Sequence, residues 1–142
     1  MRQTDVPEPR LGLMRESQRL QLARFSDRKY LTLVTYRRSG AAVPTPLWFV
    51  EEGGVLYVRT PARSGKVKRL RNNPRVRVAP SDGRGNPKGA WIDGRAHVVV
   101  DDAQAERANR LVHRKYGWRK RLIELRYKLS PEERVTIAVH VE

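Results

Sequence analysis

The sequence predicts a mainly β, α+β domain: six strands curled into a small closed or half-closed antiparallel β-barrel with flanking helices. Three observations lead there. Six runs of alternating, β-branched or aromatic residues are joined by short, turn-rich connections, which favour antiparallel neighbours. One short helix separates the third and fourth runs, and a helical hairpin precedes the last. The chain has 142 residues, enough for one hydrophobic core and not for two. Residues 15–142 therefore read as one domain, and residues 1–14, with Pro7 and Pro9, as a loose N-terminal arm.

Each element has its own warrant. Ser17 to Phe25 reads as a short helix with Leu20, Ala23 and Phe25 on one side. Tyr30 to Tyr36 (YLTLVTY) alternates and is rich in strand formers. After the Ser39-Gly40 turn, Val43 to Val50 (VPTPLWFV) is the second strand. Pro44 and Pro46 lack N–H groups, so its start belongs on a sheet edge or against a ligand. Gly53-Gly54 is a hairpin turn leading into Val55 to Thr60. Ser64 begins a two-turn helix with Val67 and Leu70 on one face, ended by Asn73-Pro74. Arg75 to Ala79 (RVRVA) is the fourth strand. A Gly/Pro/Asp loop over Pro80 to Lys88 follows, and Gly89 to Val100 is the fifth strand, with Gly94 as a bulge. Asp101 or Asp102 caps a helix with Ala105, Ala108, Val112 and Tyr116 inward. Gly117 interrupts it, and Trp118, Leu122, Leu125 and Leu129 continue at helical spacing. Glu133 to Val141 is the last strand.

Composition narrows the function. There is no cysteine, which excludes disulfides, thiolate metal sites and cysteine nucleophiles. No apolar run approaches the roughly 20 residues of a membrane span, and no signal-peptide core opens the chain, so a cytoplasmic protein is expected. The formal charge is +15, which calls for an anionic partner. The surplus sits in two places: Arg59–Arg95, with eleven basic residues against two acidic, and Arg107–Lys128, with nine against one. The second stretch lies on the helical hairpin and keeps nucleic acid among the alternatives, although no recognition helix stands out. Ser64-Gly65-Lys66 is not a P-loop, because positions 60 and 67 are Thr60 and Val67. Its chemistry still points to phosphate. A strand end delivers Arg59 and Thr60, a turn supplies Ser64, and helix-start N–H groups face the same way. Arg63 and Lys66 oppose the helix dipole there unless an anion compensates. His97, His113 and His140 show no metal-ligand spacing, and no nucleophilic triad is visible, so no metal site and no catalytic residue is assigned.

VPTPLWFV, GGVLYVRTPARSGKVKRLRNNPRVRVAPSDGRGNPKG and IDGRAHVV together resemble the pyridoxamine-phosphate-oxidase-like family of split β-barrels. The resemblance is strongest to its F420 (deazaflavin)-dependent branch. It is close over Tyr30 to Val100 and loose beyond. It implies a six-stranded barrel of the FMN-binding split-barrel type and a homodimer with cofactor at the subunit interface. By the resemblance, Thr60, Ser64 and Lys66 hold the cofactor phosphate, with Arg59 and Arg63 as neighbours, while Pro46 and Trp48 lie near the ring. Three departures argue against pyridoxamine phosphate oxidation. Gly65 stands where the oxidases have Arg, Gly89 stands where their fifth strand begins with Gln, and their C-terminal arginine segment has no counterpart. Gly65 leaves room for a cofactor that continues past its phosphate, as F420 does with an anionic tail that could meet Lys68, Arg69 or Arg119 to Arg121. The implied activity is hydride transfer between reduced F420 and a small unsaturated organic acceptor. Alternatives are an FMN-binding flavin reductase-like protein, a cofactor- or heme-storage protein without turnover, and a nucleic-acid-binding module. Tyr57 and Trp91 are expected near the implied groove, with no catalytic role assigned.

Overall fold

The computed structural model describes residues 15–117 and 133–142. The expected arm over 1–14 and the second half of the helical hairpin lie outside the described residues. Helix α1 (Glu16–Ala23) precedes strands β1 (Tyr30–Tyr36), β2 (Ala42–Trp48), β3 (Val50–Glu52) and β4 (Val55–Pro61). Helix α2 (Gly65–Asn72), strands β5 (Arg75–Ser81) and β6 (Ile92–Val98), helix α3 (Asp102–Tyr116) and strand β7 (Arg134–Val141) complete the order. All strand pairs are antiparallel, in the order β2-β1-β5-β6-β7-β4-β3.

The second strand expected from the sequence is two strands, so the sheet has seven rather than six. The break falls at Phe49. Its N–H donates to the Tyr116 hydroxyl at 2.9 Å, and its carbonyl accepts from Lys115 Nζ at 3.0 Å. With its backbone groups satisfied by α3 side chains, Phe49 has nothing left for a ladder. Before it, Trp48 pairs with Tyr30; after it, Val50 pairs with Tyr57. β2 and β3 are thus one residue apart in sequence and at opposite ends of the sheet order. The sheet has to curl until its two edges nearly meet, which makes the barrel. Pro44 and Pro46 lie on the edge strand β2, where a missing N–H costs no ladder bond.

The barrel interior holds Leu31, Leu33, Leu56, Val58, Val76, Val78, Ile137 and Val139, closed by Val67 and Leu70 of α2 and by Phe25 and Phe49. The two phenyl rings meet edge to face, 5.7 Å apart. The buried face of α1 is Leu22 with the following Phe25, whereas the expected Leu20 and Ala23 are exposed. The reason is that α1 ends at Ala23 and a tight turn, Phe25 N–H to Leu22 carbonyl, swings Phe25 inward. A second cluster lies on the outer face of β4 and β7, where Tyr57 and Ala138 pack under Ala108, Val112 and Tyr116 of α3. The Asp101 carboxylate caps α3 by accepting from the N–H groups of Ala103 and Gln104.

β6 is shorter than the expected Gly89 to Val100, and Gly94 is not a bulge. The register runs unbroken through Gly94, opposite Val76 on one side and Val141 on the other. A Cβ at this position would lie 2.6 Å from the His140 carbonyl oxygen. Close approach of β7, not an extra residue, is what requires glycine there.

Candidate functional site

The strand β4, the turn after it and the start of α2 carry the phosphate-type residues. Adjacent strand residues point to opposite faces, and this separates the expected set. Thr60 points with Leu56 and Val58 to the interior, is buried, and donates its hydroxyl to Ser64 Oγ at 3.3 Å. Ser64 is the N-cap residue of α2, and its hydroxyl makes no capping bond, so it remains turned to Thr60. The first-turn N–H groups of Gly65, Lys66 and Val67 have no acceptor within the helix. Lys66 is half-buried, and burial, then the nearby Arg69, lowers its pKa. Arg63 is exposed. Arg59 leaves β4 on the other face, where Nη1 donates to Asn109 Oδ1 of α3.

Pro46 and Trp48 share the outer face of β2. Trp48 stacks flat on Tyr116, 4.3 Å between centroids and 7° between planes, so one face of the indole is already taken. Among the described residues, no hydrogen bond or ring contact joins Pro46 or Trp48 to the Thr60–Lys66 turn. Tyr57 is buried, and its hydroxyl accepts from Gln104 Nε2 at 3.1 Å.

Two sets of contacts in the structure were not assigned from the sequence, although Arg69 was named there as a possible contact for an anionic tail. Arg69 Nε donates to Thr35 Oγ1 at 2.6 Å, and the Arg69 guanidinium lies over Gly65. The signal for it is the spacing: Gly65 and Arg69 are four apart, which stacks them on one helix face. The room that Gly65 opens is filled by a second cation. The other feature is Lys115, whose Nζ sits 3.6 Å from the Phe49 ring centroid beside a cleft of ≈ 290 Å³ lined by Phe25, Asp27, Glu51 and Leu111. Desolvation pushes its pKa down to about 8. His97 and His140 stack on each other at 5.3 Å, and His113 is exposed. Among the described residues no group of three acidic or histidine side chains is placed to hold a metal ion, and no helix is long and apolar enough to cross a membrane.

A curled antiparallel sheet plugged by a short cationic helix after its fourth strand defines the split β-barrel class. The chain belongs to the pyridoxamine 5'-phosphate oxidase family, whose model matches residues 19–142. Solved structures share the fold. A conserved hypothetical protein of Mycobacterium tuberculosis superposes with a TM-score of 0.64 at 22% identity, over 96% of this chain and 86% of that one. An FAD-binding protein of Mesorhizobium loti gives 0.60 at 18% identity, over 90% of this chain and 89% of its own. An F420 reductase gives 0.54 at 21% identity, over 84% and 91%. No curated protein matches the sequence.

Proposed function

We propose that this protein is an F420-dependent oxidoreductase acting on a small unsaturated organic acceptor, and that it works as a homodimer with cofactor between the subunits. The observation that carries the reading is Lys66. It is half-buried and has no hydrogen-bond or ion-pair partner among the described residues, at a turn where Thr60, Ser64 and free helix N–H groups converge. Burying a cation without a partner is costly, and a phosphate supplies the partner. The residues present therefore fit the phosphate of a flavin-type cofactor. Thr60 donates to Ser64 Oγ and so leaves the Ser64 hydroxyl proton for the phosphate, Lys66 neutralises charge, and the α2 dipole adds to both. When bound, the deazaflavin supplies two-electron hydride chemistry that no side chain here offers. Pro46 and Trp48 lie on a different face from that turn, which supports a ring site completed by a second subunit. The likeness in fold to an F420 reductase supports this choice of cofactor.

The likeness to an FAD-binding protein favours a second reading, a flavin-binding protein of the same fold. Titration of the protein with F420, FMN and FAD, followed by fluorescence and calorimetry, separates the two. The F420 reading expects saturable F420 binding, and oxidation of reduced F420 when an acceptor panel is added. Flavin binding without F420 binding overturns it. Lys66→Ala should weaken cofactor binding about tenfold or more, the worth of one charge-assisted hydrogen bond. Unchanged affinity would remove the phosphate assignment.

A further inference from the structure

The outer face of β5 and β6 carries charge that the α2 turn does not use. Alternation along β5 turns Val76 and Val78 inward and leaves Arg75 and Arg77 exposed. On β6, Asp93 and Arg95 are exposed in the same way. The register sets Arg77 opposite Asp93, and Arg75 directly opposite Arg95. Like charges so placed destabilise a strand pair. The carboxylates that reach this face are engaged elsewhere on it: Asp93 lies 3.1 Å from Arg77, and Glu142 lies 3.5 Å from Arg95. Further arginines meet Arg75 from other elements. Arg38, on the β1–β2 turn, donates from Nη2 to Asn72 Oδ1 at the end of α2, 3.3 Å away, and Arg71 directly precedes Asn72. Asn73 Oδ1 accepts from the Arg75 N–H at 3.1 Å, which ties the end of α2 to the start of β5. Arg38, Arg71 and Arg75 are exposed, and among the described residues none of the ion pairs includes them. A cleft of ≈ 300 Å³ opens here, lined by Tyr36, Asn73, Arg75 and Arg77. It lies at the end of α2 opposite the Ser64 cap.

We propose that this end of the barrel binds single-stranded nucleic acid, with phosphates along Arg38, Arg71 and Arg75 and one base against Tyr36. The cations are arginines, whose planar forks match phosphate oxygens. Guanidinium groups beside an accessible aromatic ring are what a single strand needs: the charges track its backbone, and the ring stacks on any base. Tyr36 is half-buried and lines the cleft beside Arg75. A duplex keeps its bases paired and stacked inside, so it has no free base to offer the ring. The surface is separate from the phosphate reading of Lys66, and either can fail without the other.

Fluorescence anisotropy of a labelled oligothymidylate, titrated with the full chain across a salt series, tests this. Arg38→Gln, Arg71→Gln and Arg75→Gln change exposed positions, so the fold should persist. Each should weaken binding and flatten the plot of log affinity against log salt by about 0.7, the share of one phosphate contact on a single strand. Tyr36→Ala should weaken binding about tenfold with the salt slope unchanged, and Tyr36→Phe should bind as the wild type does. An abasic strand should not distinguish Tyr36→Ala from wild type. Wild-type affinity and slope in all three arginine variants overturn the proposal. So does duplex DNA or inorganic polyphosphate bound as tightly as the strand, because either would show attraction to net charge alone. Lys66→Ala should leave strand binding unchanged; loss of binding in that variant would move the strand to the cofactor turn and overturn the assignment to this surface.

Discussion

At the scale of single residues, Tyr116 and Arg69 show how one side chain sets a whole neighbourhood. The Tyr116 hydroxyl lies 2.7 Å from both the Lys29 and Phe49 carbonyls and accepts from the Phe49 N–H at 2.9 Å. It therefore ties α3 to the start of β1 and to the residue that splits β2 from β3. Tyr116→Phe keeps the ring stacked on Trp48 but leaves the buried Phe49 N–H without its acceptor, while the Phe49 carbonyl keeps Lys115 Nζ. The expected cost is about 1–3 kcal/mol, read as a lower urea midpoint with an unchanged slope. Wild-type stability in this variant would show that the Phe49 backbone finds another partner. Helical spacing in the sequence puts Tyr116 inward, but nothing in the sequence says where its hydroxyl goes. Arg69 is similar: the four-residue step from Gly65 is legible, while its bond to Thr35, thirty-four residues away, is not.

At the scale of elements, the β6–β7 pairing carries two tests. Gly94→Ala would drive a methyl into the His140 carbonyl, which is main chain and has little room to yield. The strands must part, and the expected destabilisation is about 1–3 kcal/mol, measured by thermal melting. A neutral result would show that the pair slides without loss. The second test concerns His97 and His140, stacked across the two strands. His97 Nδ1 and His140 Nε2 are buried without a partner. Burial first and His97 second push the His140 pKa down to about 4, and burial lowers His97 as well. An unfolded histidine titrates near 6.5. Between those values the unfolded chain binds protons that the folded chain refuses. Stability is intact above about pH 6.5 and falls as pH drops toward 4. Melting curves from pH 7.5 to 4.5 should show this fall, and His140→Phe should make it shallower. Parallel pH profiles for the two proteins would place the loss elsewhere. VPTPLWFV reads as one strand because period-two alternation continues through Phe49, and only the α3 side chains that capture its backbone interrupt it.

At the scale of the whole molecule, the sheet order makes the barrel, and the charge distribution shapes what the barrel binds. The +15 surplus is not uniform. One concentration lies on the Arg59–Arg95 stretch that contains the α2 turn. A homodimer is the expected assembly. Sedimentation equilibrium should give twice the mass of the 142-residue chain, and a monomer at micromolar concentration would remove the subunit-interface cofactor site. Pro46 and Trp48 would then have to meet a cofactor ring within a single chain.

The sequence by itself determined the mainly β class, most strand and helix positions, the edge location of the proline strand and the Thr60–Ser64–Lys66 turn. Those follow from local rules: period-two alternation, capping residues, glycine turns and proline's missing donor. Tertiary structure alone decided the split at Phe49, the inward face of α1, the reason for Gly94 and the bond from Arg69 to Thr35. Each of these depends on a partner distant in sequence. A hydrogen bond or a close approach across the barrel leaves no period in either segment, so it becomes visible only when the chain has closed on itself.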